Sequence, residues 1–335
     1  MATLTVTQMQ PSAHKSRARA LSLALIAASR TAPLLDIPTE LGLEILELGL
    51  THTSFTTLSA VSKAFSALVS SILYRHVVLD SVEDVSLFYR TVQSKSPIFL
   101  ETHIKTLAVT IEPWRFAPAT HIELERIVAA CTGLRALSLP RPGILAESLS
   151  HHRNLPSEVS FQSFDIPAPS GWGNAPIGPP GSTHSPAAQL SASLTHLRIS
   201  EPGDAWHSPL SILEFFGPTP HLTHLALARR MDANADNDEV FVDEVSALLA
   251  SRPRLRMLVV SVFPAQWPCY SFHPAPAASS TIWEALSSVA KADNRLILVA
   301  GGLDGRKDAV SWARRDFWAC SQTEWKVIAE ENLQL

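Results

Sequence analysis

The chain has 335 residues, of which 46% are hydrophobic and 17% charged, with a formal net charge of −4 and an isoelectric point near 6.3. That length supports about two domains and a sizeable core, and the composition excludes a disordered chain. The acidic balance argues against a nucleic-acid partner; no apolar run approaches the ~18 residues that would cross a bilayer; and Cys131, Cys269 and Cys320, far apart and without a CxxC pair, fit a reducing compartment.

Residues 1–33 contain no acidic residue and carry Lys15, Arg17, Arg19 and Arg30 among Ser, Thr and Ala. The apolar run ALSLALIAA at residues 20–28 has the form of a signal-peptide core or, with its Arg and Ser neighbours, of a mitochondrial presequence. The basic stretch before it is long for a secretion signal. The expected reading is therefore an N-terminal arm, disordered or loosely helical.

Residues 34–76 read as a small helical module. A first helix is expected over residues 38–50, with Pro38 in the first turn, where proline is tolerated, and Glu40 beside the positive end of the helix dipole. Leu41, Ile45 and Leu48 fall on one face and Leu43, Leu46 and Leu50 on another, so this helix needs covering on both sides. Leu58, Val61, Phe65, Leu68 and Ile72 alternate at steps of three and four, which predicts a second helix. Two helices in about forty residues are near the size below which a domain seldom stands alone. Their surplus apolar surface meets either the rest of the chain or another protein.

The ordered residues Ile37-Pro38-x-Glu40-Leu41-x-x-x-Ile45-Leu46, then Leu58-x-x-Val61-Ser62-Lys63-x-Phe65-x-x-Leu68, then Leu73-Tyr74, resemble the F-box. In that family the pattern is Leu-Pro-x-Glu-Leu/Ile, later Val-Cys/Ser-Lys/Arg-x-Trp/Phe, and a closing Leu-Trp/Tyr. Ile37 replaces the usual Leu, Phe65 stands for the commoner Trp, and Gly42 and Gly49 weaken the first helix. The resemblance implies docking to a Skp-family adaptor, and through it to a cullin, by way of Ile37, Pro38, Glu40, Leu41, Ile45, Leu46, Val61 and Phe65. The residues by themselves leave a second reading open, in which this is the first helical hairpin of a larger core.

From Leu73 onward the texture changes, and Tyr74-Arg75-His76-Val77-Val78-Leu79 reads as a strand leaving the helical module. Ile104-x-x-Leu107-x-Val109 recurs as Leu134-x-x-Leu137-x-Leu139, Leu194-x-x-Leu197-x-Ile199, Leu222-x-x-Leu225-x-Leu227 and Leu255-x-x-Leu258-x-Val260, at steps of 30, 60, 28 and 33 residues. Val159-x-Phe161 sits in the middle of the double step, and residues 295–299 read as a last strand. Helical patterns lie between, at residues 122–131, 209–216, 240–249 and 282–290. The period is that of a leucine-rich solenoid with parallel strands and helices on its outer face. The usual Asn or Cys after the last apolar position is missing, so the array is expected to be irregular. Such repeats after an F-box are what the resemblance to fungal-type F-box proteins implies.

Two Pro-rich insertions interrupt the array. The first, placed at residues 140–190, cannot hold a helix or central strand over its APSGWGNAPIGPPGSTHSP core, where Trp172 lies; the second, residues 261–280, carries Trp267, Tyr270 and Phe272. Residues 312–335, with Trp312, Trp318 and Trp325, read as a segment capping the exposed end of the array over residues 77–311.

Three patterns invite a chemical reading and each has a plainer one. His196 and His224 occupy the same slot of Leu-Thr-His-Leu in two repeats, which explains them without a metal. Asp232-x-Asn234-x-Asp236 begins like a calcium loop, but Asn237 stands where Gly is needed and Asp243 where Glu is needed. Residues 301–307, GGLDGRK, lack the spacing of a phosphate loop. No catalytic residue, metal ligand or cofactor is therefore assigned.

The expected fold class is α+β, a small all-helical F-box-like head followed by an irregular α/β leucine-rich-repeat solenoid. Alternation along the strands exposes Thr106, Ala108, Ser138, His196, Arg198, His224, Ala226, Met257 and Val259 on one face, and His196, Arg198, His224, Met257 and Val259 are the expected substrate contacts. The function expected is that of a non-enzymatic, cytoplasmic or nuclear adaptor of a Skp/cullin/F-box ubiquitin ligase that binds an unknown protein substrate. A leucine-rich interaction scaffold never assembled into a ligase is the alternative.

Overall fold

The repeated Leu-x-x-Leu spacing marks where strands start, and the chain between them has room for helices. In a computed structural model, residues 38–50, 52–111, 117–144, 148–149, 152, 154–165, 186–231, 234–264, 276–301, 317–319, 322–325 and 327 are described. The N-terminal arm, Ile37, Trp172, Asp232, Trp267, Tyr270, Phe272, residues 302–307 and Trp312 lie outside them, as does the side chain of Glu40. The chain forms two compact units, Met1–Ile72 and Leu73–Leu335.

In the first unit, α1 (Thr39–Leu50) follows the expected bounds. The second pattern is not one helix. It divides into α2 (Phe55–Ser59) and the start of α3 (Lys63–Arg75). Ser54 caps α2 by accepting from the Thr57 N–H at 3.3 Å, and the Ser62 hydroxyl accepts from the Phe65 N–H at 3.2 Å. Such local side-chain bonds compete with a continuing helix, which is why apolar periodicity alone reads through the break.

The second unit alternates strands and helices: β1 (His76–Leu79), α4 (Val82–Ser94), α5 (Pro97–His103), β2 (Thr106–Val109), α6 (Pro118–Ala130), β3 (Ala136–Leu139), β4 (Glu158–Phe161), α7 (Pro186–Ser191), β5 (His196–Ile199), α8 (Pro209–Phe216), β6 (His224–Arg230), α9 (Ala235–Ser251), β7 (Met257–Phe263), α10 (Thr281–Ala292) and β8 (Leu296–Ala300). All eight strands pair in parallel, in sequential order from β1 to β8. This corrects the expected class. The chain is not an α+β molecule with a helical head and a solenoid; it is α/β, built on one eight-stranded, wholly parallel sheet with interleaved helices. Helices alternate with strands instead of segregating from them, and that alternation defines the class. Arg75 ends a helix and His76 begins a strand directly after it.

Leu107, Leu137, Val159, Leu197, Leu225, Leu258 and Leu296 stand in register on successive strands, each 3% exposed or less. They join Val85 and Phe88 of α4, Leu124 and Ile127 of α6, Phe216 of α8, Val245 and Leu248 of α9 and Leu286 of α10 in one apolar cluster. Burying a side chain of this size contributes about 1.5–3 kcal/mol, so the row is a substantial part of the unit's apolar stabilisation. Helix starts are set by a recurring device: Ser81, Ser96, Ser208 and Ser280 each accept from the N–H three residues on, at 3.1–3.4 Å.

The turn into β3 needs glycine because backbone approaches it closely. A Cβ at Gly133 would lie 1.9 Å from the carbonyl oxygen of Glu101, whereas one at Gly49 in α1 would meet nothing within 4 Å. Gly133→Ala is expected to cost about 2 kcal/mol or more through forced displacement, while Gly49→Ala is expected to be neutral or to stabilise by up to about 1 kcal/mol. Urea unfolding of the two variants checks the contrast; equal midpoints would refute it.

Candidate partner-binding surfaces

The first surface lies on the N-terminal helices. Leu41, Ile45 and Leu48 occupy one face of α1 and are 51%, 47% and 65% exposed, while Leu46 is 3% exposed. Pro38 and Val61 are exposed and Phe65 is half-buried. The resemblance residues therefore divide. Pro38, Leu41, Ile45 and Val61 present surface, and Leu46 is buried. The face of α1 that apolar spacing says should be covered is thus largely exposed.

The second surface is the face of the parallel sheet opposite the helix-packed row. Alternation along the strands and the pairing register set one residue beside the next: His76, Thr106, Ala136, Glu158, His196, His224, Met257 in one row, and Val78, Ala108, Ser138, Ser160, Arg198, Ala226, Val259, Ile297 in the next. The rows change character along the sheet. Small and polar side chains fill β2 to β4, and apolar ones fill β7 and β8.

The apolar half is covered. Phe317 and Trp325 form a cluster with Ala226, Met257, Val259, Ile297 and Val299, all buried. Met257 and Val259, expected as substrate contacts, are 4% and 0% exposed and lie within that cluster. The described part of residues 312–335 thus packs on the face of the sheet. Arg198 is also buried, its guanidinium 3.9 Å from the centre of the Phe317 ring, a cation–π geometry worth up to about 2 kcal/mol when desolvated. His196 and His224 stack with ring centres 4.3 Å apart and planes at 10°, and Trp318 stands 5.2 and 5.6 Å from them. Each ring nitrogen Nδ1 is 2.8 Å from the hydroxyl of the preceding Thr195 or Thr223. The repeated Thr-His step makes a stack held by hydroxyls.

The polar half is open. It forms a groove of about 690 Å³ over β2 to β5, whose lining includes Thr106, Ser138, Glu158, Ser160, Gln162, Arg198 and Ser200, with Phe317 and Trp318 at one side. Arg75, Lys105 and Arg135 line it where β1, β2 and β3 begin. The ladder runs one residue beyond these strands, for the Lys105 N–H donates to the Arg75 carbonyl at 3.1 Å and the Arg135 N–H to the Lys105 carbonyl at 2.8 Å. Arg135 Nε lies 3.5 Å from Glu158 Oε1, and Lys105 Nζ donates to the Glu101 carbonyl at 2.6 Å. Of the expected substrate contacts, the groove keeps Arg198 alone. Composition did not single out Arg75, Lys105 and Arg135; their common position two residues before the core apolar residues Val77, Leu107 and Leu137 was the signal that would have found them.

The calcium-like stretch has other work. Asn234 caps α9 by accepting from the Asp236 and Asn237 N–H groups, and Asp238 holds Arg229 in a buried ion pair at 2.6 Å. Among the described residues no cluster of three potential metal ligands occurs, and no helix is long and apolar enough to cross a membrane. No family model matches the chain, and comparison with curated proteins finds no match.

Burial, and secondarily the charge of Arg256, pull the His224 pKa below its ordinary value of 6.5. The folded state thus prefers the neutral ring, and the unfolded chain takes up the proton first as pH falls. The stability His224 provides is complete above 6.5 and is lost as pH drops through its lowered value. Acidification below 6.5 should lower the melting temperature of the wild type more than that of His224→Gln. His103 and His207, lowered for the same first cause, contribute equally to both proteins and cancel in the comparison. Parallel curves for the two proteins would rule out the His224 contribution.

Proposed function

We propose that the chain is a substrate adaptor of a cullin-based ubiquitin ligase, working in the cytoplasm or nucleus. Its F-box-like residues dock a Skp-family adaptor, and the open half of its sheet face receives a protein substrate. The observation that carries the reading is the exposure of Leu41, Ile45 and Val61, at positions where the F-box pattern calls for adaptor contacts. An apolar helix face left to water costs solubility unless a partner covers it. The chain then does no chemistry of its own. It raises the effective concentration of substrate beside a ubiquitin-conjugating enzyme, a gain that requires two binding surfaces and no reactive side chain.

Leu41 and Ile45 would each contribute about 1.5–3 kcal/mol when covered, so the Leu41→Glu, Ile45→Glu double variant should weaken adaptor binding by about a hundredfold or more. Co-purification with a purified Skp-family protein tests this, with thermal melting to show that the variant remains folded. Binding by the wild type and loss in the variant support the adaptor. A folded wild type that fails to bind removes the ligase reading and leaves an interaction scaffold.

A further inference from the structure

We propose that the open groove over β2 to β5 binds an extended, acidic segment of a partner protein. The inference rests on the sheet face being the substrate side in the function proposed above, and it is independent of adaptor docking.

The groove combines an excess of cationic side chains with hydroxyls that can donate or accept, and the amide oxygen of Gln162 on its lining is buried without a partner, open to a backbone N–H of an extended chain. Ser138, Ser160 and Arg198 sit side by side in register on β3, β4 and β5, and Ser200 adds another hydroxyl one row on. Arg75, Lys105 and Arg135 bring three cationic residues to the start of three neighbouring strands, where like charges opposite one another destabilise a sheet. Glu158 is the one carboxylate among the described lining residues, and it faces Arg135. This local excess of positive charge runs against the chain's overall charge of −4. A second observation points the same way. The hydroxyl of Thr110, at the far end of β2 and only 4% exposed, lines the groove and has no hydrogen-bond partner in the protein. A buried hydroxyl without a partner is a standing cost that an anionic acceptor in the groove would relieve.

Shape and charge together favour a peptide. Neighbouring strands lie about 4.8 Å apart, so β2 to β5 present a floor about 14 Å across, the reach of about four residues of extended chain. Small hydroxyls leave room for a backbone to lie close. Trp318 is the one indole on the described lining, too little aromatic surface to stack a run of bases, and the chain's acidic balance disfavours a polyanion as long as a nucleic acid.

The test is fluorescence anisotropy of the full chain with a labelled twelve-residue peptide of alternating Glu and Gly. The matching Gln-Gly peptide, a thymidine oligonucleotide of equal length and free glutamate serve as comparisons. The acidic peptide should bind about tenfold more tightly than the Gln peptide at low salt and weaken as salt rises. The Lys105→Gln, Arg135→Gln double variant should lose about tenfold, which fits the 76% exposure of the Arg135 side chain and the little it does for the fold. Thr110→Val should weaken the peptide about threefold while leaving stability equal or higher, because it deletes an unpartnered buried hydroxyl. Equal binding of the Gln peptide, tighter binding of the oligonucleotide, or displacement by free glutamate at peptide-like concentrations would each overturn the proposal. The adaptor is absent from this experiment, so its result stands apart from that of the docking test.

Discussion

Every strand of this sheet has to dispose of two rows of side chains, because successive residues point to opposite faces. One row is sealed by the helices that connect the strands, and its register of Leu and Val is the apolar spine of the second unit. The other row faces away from the helices that connect the strands. A parallel sheet is stable in water only where that second face is polar or finds another cover. This chain uses both solutions. Thr, Ser, Ala and Glu make the first strands tolerant of water, while Met257, Val259, Ile297 and Val299 are covered by Phe317 and Trp325.

That division creates the site. If the covering cluster extended over every strand, the sheet would have no open face. If it were missing, the apolar half would be exposed and prone to association. The boundary falls at β5, where Arg198 lies over Phe317 and the His196–His224 stack meets Trp318. The groove therefore has a wall of aromatic residues and a floor of hydroxyls. The adaptor role proposed above requires a surface of this kind for one partner and an apolar surface for the other, and that proposal assigns the second to the exposed face of α1.

Much of this was legible in the sequence, residue by residue. The Leu-x-x-Leu-x-Leu spacing located β2, β3, β5, β6 and β7, and strand parity put Met257, Val259, Arg198 and His196 on the same face. Parity cannot say whether a face is covered, because the cover comes from residues far along the chain; that is why Met257 and Val259 read as exposed. The fold class was misread for a related reason. A motif that ends at Leu73-Tyr74 reads as a helical head set apart from a sheet, which suggests α+β, whereas the class is set by the helices interleaved among the eight parallel strands. The break between α2 and α3 was hidden because Ser54 and Ser62 act through local caps, which apolar periodicity does not register. The cationic row was missed since Arg75, Lys105 and Arg135 look like scattered surface charge until pairing register aligns them.

The central claim is that one chain carries two binding surfaces that work at the same time. Native mass spectrometry of the full chain mixed with a Skp-family protein and an acidic peptide tests it most directly. The account predicts a ternary species with one copy of each, and a peptide affinity that the adaptor leaves within about twofold, as for independent sites. Mutual displacement of adaptor and peptide, or a folded chain that never takes up the adaptor, would contradict it.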